Sequence, residues 1–189
     1  MHASLKQYLD GKIMLSPADE EYVDCKFKPR STKRNEILVE KGDTARHIYF
    51  VVKGCLRVFL ISDAGNESTR FLIFEGRMGT AFPSFINQRA SVAAVQSIEA
   101  SEILMLSHSD RELLLKNILG WERMERVGIE QDYIASIERI ESFLSMDAKD
   151  RYAILLRKSP EIVKRLPAKI VADYLGISQE TLSRLKAKN

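Results

Sequence analysis

Lys169-Ile170-Val171-Ala172-Asp173-Tyr174-Leu175-Gly176-Ile177-Ser178-Gln179-Glu180-Thr181-Leu182-Ser183-Arg184-Leu185 has small and apolar residues where two helices crossing at a sharp angle require them. Ala172 is small where the second helix passes over it. Gly176, four residues later, supplies the left-handed backbone that ends the first helix. Ile177 fills the corner, and Ser178 is a good N-cap for the second helix. Leu182 and Leu185 then turn inward, leaving Gln179, Glu180, Ser183 and Arg184 outside. Arg reads guanine, Gln adenine and Glu the cytosine amino group, while Ser and Thr reach phosphates. The pattern therefore predicts a helix-turn-helix, with Ser178, Gln179, Glu180, Thr181, Ser183, Arg184, Lys186 and Lys188 as DNA-facing residues and Lys186, near the helix end, toward phosphate. An ordinary helical hairpin with a polar face is the alternative, disfavoured by Ala, Gly and three apolar residues falling in register.

Charge agrees with this reading. Residues 145–189 carry ten Lys/Arg against five Asp/Glu, whereas residues 1–144 carry nineteen against twenty-one. A basic end on a near-neutral body is the footprint of a nucleic-acid-binding segment, although charge alone fits a solvated helix surface equally well. The 189 residues, 45% hydrophobic and 29% charged, suit one or two ordinary globular domains. No apolar run approaches the ~20 residues of a membrane span. The opening MHASLKQYLDGK places charges where a signal peptide carries its apolar stretch, so a cytoplasmic protein is expected. Cys25 and Cys55 are too few for a thiolate metal site and read as buried, inert thiols. Their spacing permits a disulfide, which a cytosolic setting disfavours.

From Glu36 to Leu106, short runs of Val, Ile, Phe and Leu alternate with Gly and Asp turn signals and read as strands. These are Glu36 to Glu40, His47 to Val52, Cys55 to Ile61, Ser68 to Phe74, Val92 to Ile98 and Ile103 to Leu106. Lys53-Gly54 reads as a tight hairpin, Asp63-Ala64-Gly65-Asn66 as a turn, and Glu75 to Ala90 as a loop. Such spacing suggests a jelly-roll barrel or sandwich. After Ser107 the texture is helical. Ser109 can cap a short helix, with Glu112 as capping-box partner. Ile118 to Leu144 reads as one long helix striped by Met124, Val127, Ile134, Ile137, Ile140 and Leu144. At about 40 Å it outreaches a small barrel. Its free stripe fits a parallel homodimer seam or, less well, a helix folded back on its own barrel; the heptad is irregular. Asp147 and Asp150 start the next helix.

The whole chain resembles the Crp/Fnr superfamily of regulators. Glu40-Lys41-Gly42-Asp43 and His47-Ile48-Tyr49-Phe50-Val51-Val52-Lys53-Gly54-Cys55-Leu56-Arg57-Val58 are similar to that family's barrel core, and Ser178 to Arg184 to its recognition helix, where Gln179, Glu180 and Arg184 match the base-contacting positions. Gln179 stands where an arginine is common. The resemblance implies an α+β chain: a cyclic-nucleotide-binding-like antiparallel jelly-roll over residues 1–116, a dimerisation helix over 117–145 and a helix-turn-helix domain over 146–189. The end at Asn189 leaves no room for a full wing. Implied partners are double-stranded DNA with an inverted-repeat operator, a second copy of the chain, a small-molecule effector and RNA polymerase, with no membrane, metal or cofactor. Members that bind cyclic AMP hold its ribose by a Gly-Glu pair and its phosphate by an arginine. Here no Glu follows Gly79, and counting back from Val95-Gln96-Ser97 puts Ser91 at the phosphate position, with Arg89 two residues away. The corresponding effector set is Arg77, Gly79, Thr80, Arg89 and Ser91, and a cyclic nucleotide is not the expected occupant.

Two other classes remain in view. A cupin-like barrel would gather metal-binding histidines, but His2, His47 and His108 show no two-His spacing, and no Gly-x-Ser-x-Gly elbow is present. His108 reads as an exposed neighbour of a helix start. A protein-interaction sensor without DNA binding is the other alternative. An enzyme is not expected.

Overall fold

The computed structural model describes residues 1–187. They form two compact units, residues 1–66 with 70–127, and residues 67–69 with 128–187. The boundary falls inside the long helix.

The first unit opens with two helices, α1 (Ala3–Leu9) and α2 (Pro17–Lys26). Ser16 and Asp19 close a capping box at α2, and Pro17 follows the cap, where its missing N–H is no loss. Eight strands follow: β1 (Phe27–Thr32), β2 (Ile37–Val39), β3 (His47–Lys53), β4 (Leu56–Ile61), β5 (Glu67–Ile73), β6 (Met78–Gly79), β7 (Ala93–Ser97) and β8 (Ser101–Ser107), with helix α3 (Phe82–Asn87) between β6 and β7. They build two four-stranded sheets, ordered β1-β8-β3-β6 and β2-β7-β4-β5. The pairings given in register are antiparallel, as the jelly-roll expectation requires.

Strand β3 shows how one sequence run serves two cores. Ile48, Tyr49, Phe50 and Val51 are all buried, a run too apolar for a strand with one wet face. Tyr49 and Val51 join Val39, Leu56, Val58, Phe85, Val95 and Ile103 between the sheets. Phe50 joins Leu5, Leu9, Val23, Phe27, Leu104, Leu106, Leu114 and Trp121. The N-terminal helices thus cover the outside of the β1-β8-β3 sheet, which is why β8 is also buried on alternate sides. The sequence pattern assigns nothing before Glu36, where apolar residues are sparse and capping is the main signal.

Several local expectations need correction. Lys53-Gly54 is not a hairpin: β3 pairs with β8 and β6, whereas β4 pairs with β7, so the turn carries the chain from one sheet to the other. Gly54 is required there twice over. Its φ is +107°, and a Cβ would stand 2.5 Å from the Ser101 Cβ and 2.9 Å from its Cα. The segment from Glu75 to Ala90 contains β6 and α3. The turn at Asp63 to Asn66 does return the chain onto its neighbour, with Ser62 N–H donating to Asn66 O at 2.9 Å. Cys55 is buried as expected, but Cys25 is exposed on α2, where its thiol meets Tyr22 O at 3.0 Å.

Helix α4 (His108–Asn117) is capped by Ser107, two residues earlier than Ser109. The Ser107 hydroxyl accepts from Asp110 N–H at 3.0 Å and donates to the Asp110 carboxylate at 2.6 Å. The long helix α5 (Trp121–Ser145) begins three residues later than the sequence suggests, because Ile118 closes α4 and Gly120 turns with φ +87°. Trp121 and Met124 anchor its start in the core shared with α1 and α4.

The second unit continues α5 and adds α6 (Ala148–Lys158), α7 (Pro160–Arg165), α8 (Ala168–Leu175) and α9 (Gln179–Ala187). Asp147 caps α6 by accepting from Asp150 N–H at 2.9 Å, as its sequence spacing predicts. Among the described residues, no helix is long and apolar enough to cross a membrane.

Candidate nucleic-acid interface and effector recess

Helices α8 and α9 and the turn between them have the expected chemistry. Gly176 takes φ +65°, ψ 39°, and the chain doubles back through N–H bonds from Gly176 to Asp173 O at 3.1 Å and from Ile177 to Ala172 O at 3.0 Å. Ser178 Oγ accepts from Thr181 N–H at 3.1 Å, fixing the start of α9. Val171, Ala172, Leu175 and Leu182 are buried. Leu185 is half-buried and so only partly turned inward.

The opposite side of α9 is free. Gln179, Glu180, Ser183, Arg184 and Lys186 are exposed, while Thr181 is half-buried with its hydroxyl 3.0 Å from that of Ser178. Steps of four residues align Gln179 with Ser183 and Glu180 with Arg184 on adjoining rows. Ser178 is therefore a capping residue as well as a surface hydroxyl. Lys188 lies outside the described residues.

Two arginines that sequence reasoning does not single out hold this turn from behind. Arg139 on α5 donates to Tyr174 O at 2.7 Å and stacks over the Tyr174 ring, 3.8 Å from its centroid. Burial pushes the Arg139 guanidinium down from its ordinary range, an effect the Tyr174 contacts partly offset. Arg151 on α6 donates to Leu175 O at 3.2 Å and to Met146 O at 2.7 Å. Both satisfy carbonyls at helix ends, where positive charge is favoured. Their signal in the sequence is an arginine within an otherwise apolar or acidic stripe.

Along α5 the residues Val127, Tyr133, Ile134, Ile137, Ile140 and Leu144 are exposed, Ile134 by 58% and Leu144 by 83%. A stripe this apolar facing water is the mark of an association surface.

In the first unit, a recess of about 80 Å³ is lined by Arg70, Ala81, Pro83, Ser84, Arg89, Ala90, Ser91, Val92 and Ala93. Of the five residues expected for an effector, Arg89 and Ser91 line it. Arg77 is exposed elsewhere. Gly79 pairs with Tyr49, and a Cβ on it would crowd Ile73 Cδ1. Thr80 is buried and spends its hydroxyl on His47 O at 2.8 Å. The Ser91 hydroxyl is also committed, donating to Ala93 O at 2.7 Å and accepting from Ala93 N–H at 3.1 Å. Ser84 accepts from Ala45 N–H at 2.9 Å and donates to Arg89 O. Arg70, on β5, is missed by sequence reasoning. It stands out only as a charge heading the apolar run Phe71 to Phe74.

The histidines are scattered. His2 caps α1, His47 lies on β3, and His108 is half-buried with its ring 5.3 Å from that of Phe85, not exposed as expected. Among the described residues no three His, Cys, Asp or Glu side chains gather as metal ligands would.

An eight-stranded antiparallel roll followed by a long helix and a helix-turn-helix makes a two-part chain with a helical end. Residues 29–117 match the cyclic nucleotide-binding domain family. The expected antiparallel roll with a helical end is borne out in fold by solved structures. FixK2 from Bradyrhizobium japonicum matches with TM-score 0.74 at 17% identity, over 86% of this chain and 83% of that one. The c-di-GMP responsive global regulator CLP from Xanthomonas campestris matches with TM-score 0.72 at 16% identity, over 92% and 91%. A transcriptional regulator assigned to the Crp/Fnr family from Eubacterium rectale matches with TM-score 0.68 at 16% identity, over 90% and 82%. No curated protein sequence matches the chain.

Proposed function

We propose that this chain is a sequence-specific DNA-binding transcription regulator of the Crp/Fnr type, not an enzyme, and that it works as a homodimer. The observation that carries the reading is the free face of α9, where Gln179, Glu180, Ser183, Arg184 and Lys186 are all exposed behind a turn held by Gly176 and Ser178. The roll, residues 1–116, is the effector-sensing part. The helix within 117–145 supplies the dimer seam through its exposed isoleucines. Residues 146–189 bind DNA. A dimer presents two recognition helices to successive major grooves, so its operator is an inverted repeat. RNA polymerase is a natural further partner of a bound regulator.

Of the five effector candidates, Arg89 and Ser91 line the recess and are the ones we retain; Arg77 is exposed, Gly79 is paired with Tyr49, and the Thr80 hydroxyl is bonded to His47 O. Selection of bound sequences from a random duplex pool, followed by binding across a salt series, tests the proposal. A palindromic consensus and a steep fall of affinity with salt are expected. Salt-independent binding to a protein partner, with no enrichment of duplexes, overturns it.

A further inference from the structure

Arg139 joins three parts of the second unit. It sits on α5, and its Nη2 donates to Tyr174 O on α8 at 2.7 Å and to Thr69 O on β5 at 2.9 Å. Its guanidinium also stacks over the Tyr174 ring, 3.8 Å from the centroid. Thr69 is buried and ties back to the same helix, its hydroxyl donating to the Asp173 carboxylate at 3.3 Å. Arg151 on α6 takes the next carbonyl, Leu175 O, at 3.2 Å.

The place of these acceptors gives the contacts their force. Tyr174 and Leu175 are the last two residues of α8, where helix carbonyls have no partner within the helix. A donor that binds main chain fixes the helix itself, not a side chain free to rotate about it. A guanidinium is planar and its donors form a rigid fork, so Arg139 fixes direction as well as distance. Helix α9 follows α8 as one body, because the turn is only Gly176 to Ser178, and Val171, Ala172, Leu175 and Leu182 are buried. The tilt of α9 against α5 is therefore set at Arg139.

The same helix carries the proposed dimer seam. With about 3.6 residues per turn, Arg139 leaves α5 on a different side from Ile137 and Ile140, which are exposed. One helical turn thus links the seam to the tie on α8. Across a two-fold axis any change of tilt acts twice. Moving each recognition helix by half of the ~3.4 Å base-pair rise changes the spacing that the dimer fits by one base pair.

We infer that Arg139 is a positioning residue that selects the spacing between the two half-sites of the operator, through its tie from α5 to the main chain of α8. The inference rests on the reading of α9 as the DNA-reading helix and of α5 as the seam. Half-site sequence stays with the exposed face of α9, and Arg139 touches no base.

The test uses the full chain and duplexes that carry the selected half-sites at the selected spacing, and at one and two base pairs more and fewer. Wild type is expected to prefer one spacing over its neighbours at least tenfold. Arg139→Gln should reduce this preference to threefold or less. Its base preference, and its affinity for a duplex with a single half-site, should stay within twofold of wild type. A role in stability alone would lower the thermal midpoint and weaken all spacings alike. Arg139→Lys keeps the charge and can hold one carbonyl, so it remains informative if Arg139→Gln fails to fold; it should also accept a neighbouring spacing. Lys116→Gln, an exposed change on α4, should retain the wild-type preference. Arg139→Gln that weakens every spacing by the same factor overturns the inference, as does Arg139→Lys with the full wild-type preference. Either result, with duplex binding by the wild type intact, leaves the regulator standing. A wild-type chain that binds no duplex overturns the proposed function itself, and the spacing role with it.

Discussion

A Cβ on Gly176 would stand 2.7 Å from Cε1 of Phe143, so the turn of the helix-turn-helix is seated directly on the last turns of α5. Arg139 and Arg151 lie 5.1 Å and 5.0 Å from the same ring centroid. Glycine is needed there for its φ of +65° and again for the room it leaves. The helix carrying the proposed dimer seam thus ends against the element that aims α9.

Gly176→Ala should therefore be destabilising for two separable reasons. A left-handed alanine costs ~1–2 kcal/mol, and displacing the Phe143 ring adds to it. In a Phe143→Ala background the second contribution vanishes, leaving the backbone cost. Chemical denaturation of the four proteins of this cycle measures the difference as a coupling energy. A cost of Gly176→Ala that is identical in both backgrounds would show that the close approach is absent in solution.

This turn is the most legible part of the sequence, because Gly176, Ser178 and the spacing of Ala172, Leu182 and Leu185 each report local backbone geometry. The two-sheet roll is legible as strands but not as topology. The glycine at position 54 signals a sharp turn whether the chain pairs with its neighbour or crosses to the opposite sheet, and only the partners of β3 and β4 decide. The N-terminal helices are hidden because Leu5, Leu9 and Val23 are too few to set a periodicity, yet all three are fully or almost fully buried. The recess is half legible. Arg89 and Ser91 are found by counting along one segment, whereas Arg70 reaches it from another strand, a proximity that depends on the folded roll.

The exposed stripe on α5 leads to a prediction about assembly. Ile134 is 58% and Ile137 37% exposed, so Ile134→Asp removes little intrachain packing and Ile137→Asp removes more, with the fold expected to hold in both. Charges placed on both sides of an association seam should give monomers. Sedimentation at micromolar concentration checks this, with a dimer expected for the wild type. A monomeric wild type refutes the seam.

Cyclic AMP and cyclic GMP should bind weakly or not at all. The position after Gly79 is Thr80, buried and bonded to His47 O, where a ribose-holding carboxylate would be needed. Calorimetric titration is decisive. A sub-micromolar dissociation constant for either nucleotide would require the loop between β6 and β7 to rearrange and free new acceptors.

The last prediction separates base reading from phosphate binding on α9. Glu180 and Arg184 share one exposed row, and Lys186 lies near the helix end. An arginine bidentate to guanine contributes ~1–3 kcal/mol of discrimination per half-site. Arg184→Ala should therefore relax specificity at one position in each half of the inverted repeat, whose halves sit about one helical turn, ~34 Å, apart. Lys186→Ala should weaken all duplexes alike and lower the salt slope by about one unit for each phosphate that the lysine neutralises. Both side chains are exposed, so neither change should disturb folding. Competition binding against single-substitution operators reads the two effects separately. If Arg184→Ala lowers affinity uniformly while base preference is kept, its guanidinium binds the DNA backbone, and base reading passes to Gln179 and Glu180.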